Sequence, residues 1–117
     1  MTLLEKQFLL TSLLPILLTK ITSSSRKVTL GEVWRPTYTA LQMAKEGKGI
    51  ENSLHTLRLA FDLNLFREEP DGTRTFLTSE KDHEVFGLYW ETLHPLCRWG
   101  GRFHDGNHYS ITHNGRM

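Results

Sequence analysis

The chain has 117 residues, carries 14 Lys and Arg against 13 Asp and Glu for a net charge of +1, and is 38% hydrophobic and 23% charged. This is an ordinary globular composition, with room for one domain over residues 1–117 and no second core, and the near-neutral balance removes the electrostatic footprint of a nucleic-acid binder. The single cysteine, Cys97, excludes an internal disulfide and a cysteine-built zinc finger, and itself reads as a small buried residue.

The first predicted element is a helix over residues 2–21, with a kink expected at Pro15. Leu3, Leu10, Leu14, Leu17 and Ile21 recur at helical spacing and give it a core-facing stripe. The apolar run Phe8 to Leu18 is broken by Thr11, Ser12 and Pro15 and is too short for a membrane span of about 20 residues. It also lacks the flanks of a signal peptide, because Glu5 and Lys6 cancel and Ser23-Ser24-Ser25 is a weak cleavage site. No stable membrane insertion is therefore expected.

A polar loop from Thr22 to Lys27 leads to a strand over Val28 to Trp34. A second helix starts at Pro36 and ends at Gly47, followed by a loop over Lys48 to Asn52. Ala60 to Phe66 alternates as a strand, with Ala60, Asp62, Asn64 and Phe66 on one face and Phe61, Leu63 and Leu65 on the other. Pro70-Asp71-Gly72 marks a turn, and Thr73 to Leu77 returns as the hairpin partner. Arg67 to Asp71 lacks calcium-loop spacing and reads as a solvated hairpin end.

Ser79, with Asp82 three residues on, caps a helix through Leu93 that is expected to bury Val85, Phe86, Tyr89 and Leu93 before His94-Pro95 stops it. Trp99 to Phe103 reads as a strand, Asp105-Gly106-Asn107 as a tight turn, and His108 to Ile111 as a last short strand. The fold class is α+β, a small antiparallel sheet with packed helices.

Two segments together hold a candidate metal-ligand set. His55 and Asp62 are separated by a bend and the start of a strand, so a loop-end imidazole and a strand carboxylate can converge, with His108 arriving from a neighbouring strand. Three N/O ligands leave a zinc ion one open position for water, and Asp105, across the turn from His108, stands where a general base would take the proton of that water. The turn has a bland reading as well, being rich in turn formers, and an isolated histidine is more often a surface residue than a ligand.

The turn at Gly106 argues against a helical pair of His104 with His108, which leaves His104 outside the ligand set, though near enough to assist an oxyanion. His83, His94 and His113 are expected at the surface. Trp34, Trp90 and Trp99 are expected in the core, with Trp99 the one best placed to reach a cleft.

In these residues the chain resembles the zinc peptidases that include VanY- and VanX-type D-Ala-D-Ala carboxypeptidases and dipeptidases and phage L-alanyl-D-glutamate endolysins. Their signature is Ser-x-His, six residues, Asp, then an acidic residue three positions before a late His; Ser53, His55, Asp62, Asp105 and His108 follow it in order. The stretches Val28-Thr29-Leu30-Gly31-Glu32-Val33-Trp34-Arg35-Pro36, Gly47-Lys48-Gly49-Ile50, Asn52-Ser53-Leu54-His55, Asp62-Leu63-Asn64-Leu65-Phe66 and Trp99-Gly100-Gly101-Arg102-Phe103 carry the same likeness, from about Val28 to His108.

The resemblance implies a hedgehog/D-Ala-D-Ala peptidase-like fold and one zinc ion per chain held by His55, Asp62 and His108. It implies Asp105 as catalytic base, Arg35 on a substrate carboxylate or the transition state, and Ser53 as support for the site, with Gln42 a weaker cleft residue. Two positions depart from the pattern: Arg58 stands where the family has glycine, and Ser110 where many members have an acidic residue.

The implied activity is hydrolysis of the peptidoglycan stem peptide, with L-alanyl-D-glutamate endopeptidase favoured over D-Ala-D-Ala carboxypeptidase. The short form suggests a phage monomer made in the host cytoplasm that reaches the cell wall after release. The rivals are a zinc-binding module of the same fold without activity and a metal-free interaction protein.

Overall fold

The computed structural model describes residues 1–48 and 53–117, so the stretch Gly49 to Asn52 of the expected loop and its share of the motif text lie outside the described residues. The first helix, α1 (Leu3–Ser23), begins where Thr2 and Glu5 cap each other reciprocally, each side chain accepting the other's backbone N–H. It runs through Pro15 without ending there and buries Leu10, Leu17 and Ile21, with Leu3 and Leu14 packed at the margin of the core. No helix among the described residues is long and apolar enough to cross a membrane.

Strand β1 (Lys27–Leu30) is shorter than the sequence suggests. Beyond Leu30 the pairing with β2 (Ala60–Glu68) changes character: Gly31 N–H donates to Asp62 O, while Asp62 N–H donates to Glu32 O, both at 2.8 Å. Two residues of one strand thus face one of the other, the count of a β-bulge, which bends the strand away from the ladder and re-aims its side chains. Helix α2 (Thr37–Lys45) follows Pro36, and a one-turn 3-10 helix, Leu54–Leu57, leads into β2.

Strand β2 alternates as read, with Phe61, Leu63 and Leu65 fully buried on one face and Asp62 and Asn64 on the other. It pairs antiparallel with β1, with β3 (Arg74–Leu77) and with β5 (His108–Ile111); β4 (Cys97–Trp99) completes a five-stranded sheet in the order β1-β2-β5-β4, with β3 also on β2. The architecture is α+β, three α-helices packed on a small antiparallel sheet among the described residues.

Helix α3 (Glu80–Leu93) carries the Ser79–Asp82 capping box in full. Its buried face is His83, Phe86, Gly87 and Trp90, while Val85 is 59% exposed, so the buried stripe is rotated from the expected one. Gly87 sets the phase: a Cβ there would sit 2.2 Å from the Trp99 ring, so only glycine lets the helix lie this close on β4. Phe61 stacks on Tyr109 and meets Trp90 edge-on, which joins β2, β5 and α3 in one aromatic core.

His83 is likewise not at the surface. It is buried, paired with the Tyr109 hydroxyl at 2.8 Å, and burial holds its pKa below the ordinary 6.5. A depressed imidazole means that the unfolded chain binds the extra proton first. Its contribution to stability is therefore full above 6.5 and is lost as pH falls from there through the folded value. His83→Gln keeps a hydrogen-bonding group but does not titrate. The gap in melting temperature between parent and variant is expected to narrow between about pH 7.5 and about pH 5. Parallel profiles would show that His83 does not titrate with folding.

Candidate metal centre

Three separate devices bring His55, Asp62 and His108 together. Ser53 Oγ accepts the His55 backbone N–H at 3.2 Å and caps the 3-10 turn that carries this histidine. Asp62 and His108 are register partners across β2 and β5. The flanking backbone bonds, Leu63 N–H to Asn107 O and Ile111 N–H to Leu59 O, make theirs a non-hydrogen-bonded pair, the kind in which facing side chains lie closest. The Asp105-Gly106-Asn107 turn returns the chain into β5, with Asp105 N–H on Gly100 O and His108 N–H on Asp105 O.

The donor atoms converge closely. His55 Nε2 lies 3.2 Å from Asp62 Oδ1, His108 Nδ1 lies 3.6 Å from the same oxygen, and the two nitrogens are 3.3 Å apart. A cation with tetrahedral ligands at about 2.0–2.1 Å holds its donors about 3.3 Å apart, so these three atoms already outline one face of such a site. Both imidazoles are buried and Asp62 is largely so, and this group could hold a metal ion. Burial alone would raise the Asp62 carboxyl, but hydrogen bonds from His108 and His55 and their charge outweigh it and hold its pKa at about 2. The carboxylate is thus kept in the ionised form that a ligand requires.

Asp105 sits apart from this triad, its Oδ2 3.7 Å from His108 Nδ1, and half-exposed. Burial shifts its pKa upward, with the Asp62 charge adding to the rise, while His108, His55 and Arg35 oppose it. Two aspartates in one cleft are therefore driven in opposite directions, the pattern that separates a ligand or anion from a proton acceptor.

Arg35 is buried beside them; its Nε and Nη2 lie 2.9 and 2.6 Å from Glu32 Oε1, and its backbone N–H donates to His55 O. The cleft has a volume of about 510 Å³, and Met43, Lys48 and Phe103 line it beside the residues named above.

Not every expected residue arrives. Gln42 points to Glu46 on the exposed face of α2 and does not line the cleft. His104 is exposed and pairs with Glu80 at 3.1 Å, away from the triad. Trp99 is buried, and its indole donates to Gly106 O at 2.7 Å, so it braces the Asp105 turn.

The strand expected over Trp99 to Phe103 ends at Trp99, and Gly100–Phe103 coils into a 3-10 turn. Gly100 and Gly101 permit this, since a Cβ on either would collide with the Asp105 turn or the Trp99 ring. Cys97 is buried as expected, with its thiol pushed up to about 12 by burial and so inert.

The two departures have local accounts. Arg58 adopts φ 55 and ψ 34, the left-handed region that glycine enters freely. Its guanidinium lies 4.4 Å over the Trp34 ring and does not line the cleft. A cation–π contact of about 0.5–1 kcal/mol offsets much of the roughly 1–2 kcal/mol such a conformation costs. Ser110 is fully buried, and neither its Oγ nor His108 Nε2 has a hydrogen-bond partner among the described residues, so His108 lacks carboxylate support on its outer nitrogen.

Glu32 and Phe103 stand in the sequence within the stretches that carry the family likeness, but nothing there gives either a place in the site; the Phe103 ring lies 5.9 Å from that of His108. No protein-family model matches the chain, and no curated protein matches it.

Proposed function

We propose that the protein is a zinc-dependent peptidase with a hedgehog/D-Ala-D-Ala peptidase-like fold, acting on the stem peptide of peptidoglycan as an L-alanyl-D-glutamate endopeptidase. The observation that carries the reading is the tetrahedral spacing of His55 Nε2, Asp62 Oδ1 and His108 Nδ1, with a separate carboxylate, Asp105, beside them. The ordered motif of Ser53, His55, Asp62, Asp105 and His108 supports the choice of substrate by resemblance. Nitrogen and carboxylate donors without a thiol suit zinc.

Zinc bound to His55, Asp62 and His108 would supply a Lewis acid that acidifies water and polarises a carbonyl. Asp105 takes the proton of the attacking water and returns it to the leaving amine, a role suited to a carboxyl that burial raises above its ordinary value. Arg35, anchored on Glu32 by one side of its fork, has donors left for a substrate carboxylate or the developing oxyanion. Ser53 fixes the backbone of His55.

Zinc analysis of the purified protein combined with mass spectrometry of digested peptidoglycan tests this. One zinc per chain and new D-glutamate amino termini are expected. Release of terminal D-alanine would identify a carboxypeptidase instead. Stoichiometric zinc with no new amino groups would leave a non-catalytic module, and absence of zinc would remove the proposal.

A further inference from the structure

We propose that Glu32 is a positioning residue of this centre, acting through one carboxylate oxygen on both His55 and Arg35. The inference rests on the metal-peptidase reading above. Glu32 Oε1 lies 3.4 Å from His55 Nδ1, and 2.9 and 2.6 Å from Arg35 Nε and Nη2.

His55 directs Nε2 towards Asp62 and His108, so a neutral, metal-binding His55 carries its proton on Nδ1. Nδ1 is buried and makes no hydrogen bond among the described residues, and Glu32 Oε1, 3.4 Å away, is the anion set against it there. A carboxylate behind a ligand imidazole fixes its tautomer and ring orientation and raises its basicity.

The backbone is arranged for this role. Continued regular pairing past Leu30 would set residues 31 and 32 on opposite faces of the sheet. The bulge instead sets both opposite Asp62. Gly31 keeps the contact with Asp62 clear, since a Cβ there would lie 3.1 Å from Asp62 Cβ. Glu32 then reaches His55 and Arg35 together. The same carboxylate thereby links the orientation of a metal ligand to that of the residue proposed to hold substrate.

The test is zinc affinity, measured by competition with a chromophoric chelator, on the parent, Glu32→Ala, Glu32→Gln and Arg35→Ala, with circular dichroism to verify folding. Glu32→Ala is expected to weaken zinc binding about 10–100-fold. Glu32→Gln, which keeps the shape and one acceptor, should fall between parent and alanine, and it decides the matter if the alanine variant does not fold. Arg35→Ala should bind zinc as the parent does, because Glu32 remains free to face His55.

Parent-like affinity in both Glu32 variants overturns the proposal and leaves the peptidase reading standing. An equal loss in Arg35→Ala also overturns it, since a general weakening of the cleft would then account for both. A parent that binds no zinc overturns the peptidase reading and this inference together.

Discussion

Asp105→Asn is expected to reduce cleavage of peptidoglycan stem peptide by about 10²–10⁴-fold, the usual contribution of a general base. Zinc content and melting temperature should stay at the parent's values. The substitution keeps size and shape and leaves the backbone bonds to Gly100 and His108 untouched. The side chain is half-exposed and 3.7 Å from His108, so an amide there unpacks nothing. What it removes is the capacity to accept a proton. The same change at Asp62 should act differently. Asp62 Oδ1 lies 3.2 and 3.6 Å from the two imidazole nitrogens, and a neutral amide in its place gives up a ligand charge, so zinc should be lost along with activity. Measuring kcat/KM and bound zinc on both variants separates the two aspartates. Native cleavage by Asp105→Asn would remove it as base, and full zinc retention by Asp62→Asn would remove it as ligand.

Elements whose outcome is decided by local chemistry are legible in the sequence. Alternation along Ala60 to Phe66 gives β2 and both its faces, and the Ser79–Asp82 pair gives the start of α3. Spacing alone leaves the histidines and aspartates with bland readings, and it is the ordered motif that singles out the donors; their convergence depends on the 62↔108 register, which no periodicity reveals.

Several of the misses come from close approach between elements, whereas Trp34, expected in the core, is 44% exposed. Gly87 against Trp99 rotates the buried face of α3 away from Val85, and Gly100 against the Asp105 turn converts an expected strand into a 3-10 coil. His83 carries a charge-capable ring, which reads as surface until Tyr109 is seen to meet it. Glu32 enters the site through a bulge, and a bulge shifts a side chain to the other face without leaving a mark in the pattern of residue types.

Gly100→Ala is expected to disable the centre from a residue that bears no functional group. A Cβ on Gly100 would stand 2.2 Å from Asp105 O and 2.7 Å from His108 Cβ. The first obstacle is backbone and cannot rotate aside, and the second belongs to a proposed ligand held in β5. Relief requires the Asp105–His108 turn to move by about an ångström, a displacement that can cost about 10²-fold in rate when it misplaces reacting groups. Moving His108 also spoils the donor spacing, so zinc should bind more weakly, and overpacking should cost about 1–3 kcal/mol of stability. Gly72→Ala is the matched comparison. Gly72 sits at φ +87 in the β2–β3 turn, and a Cβ added there would have nothing within 4 Å, so alanine meets backbone strain alone. It should lose about 1 kcal/mol of stability and no activity or zinc. Melting temperature, zinc affinity and cleavage rate measured on both variants decide the point. If Gly100→Ala loses only as much as Gly72→Ala, the turn yields without disturbing Asp105 and His108, and the close packing at Gly100 is not what holds the centre in register.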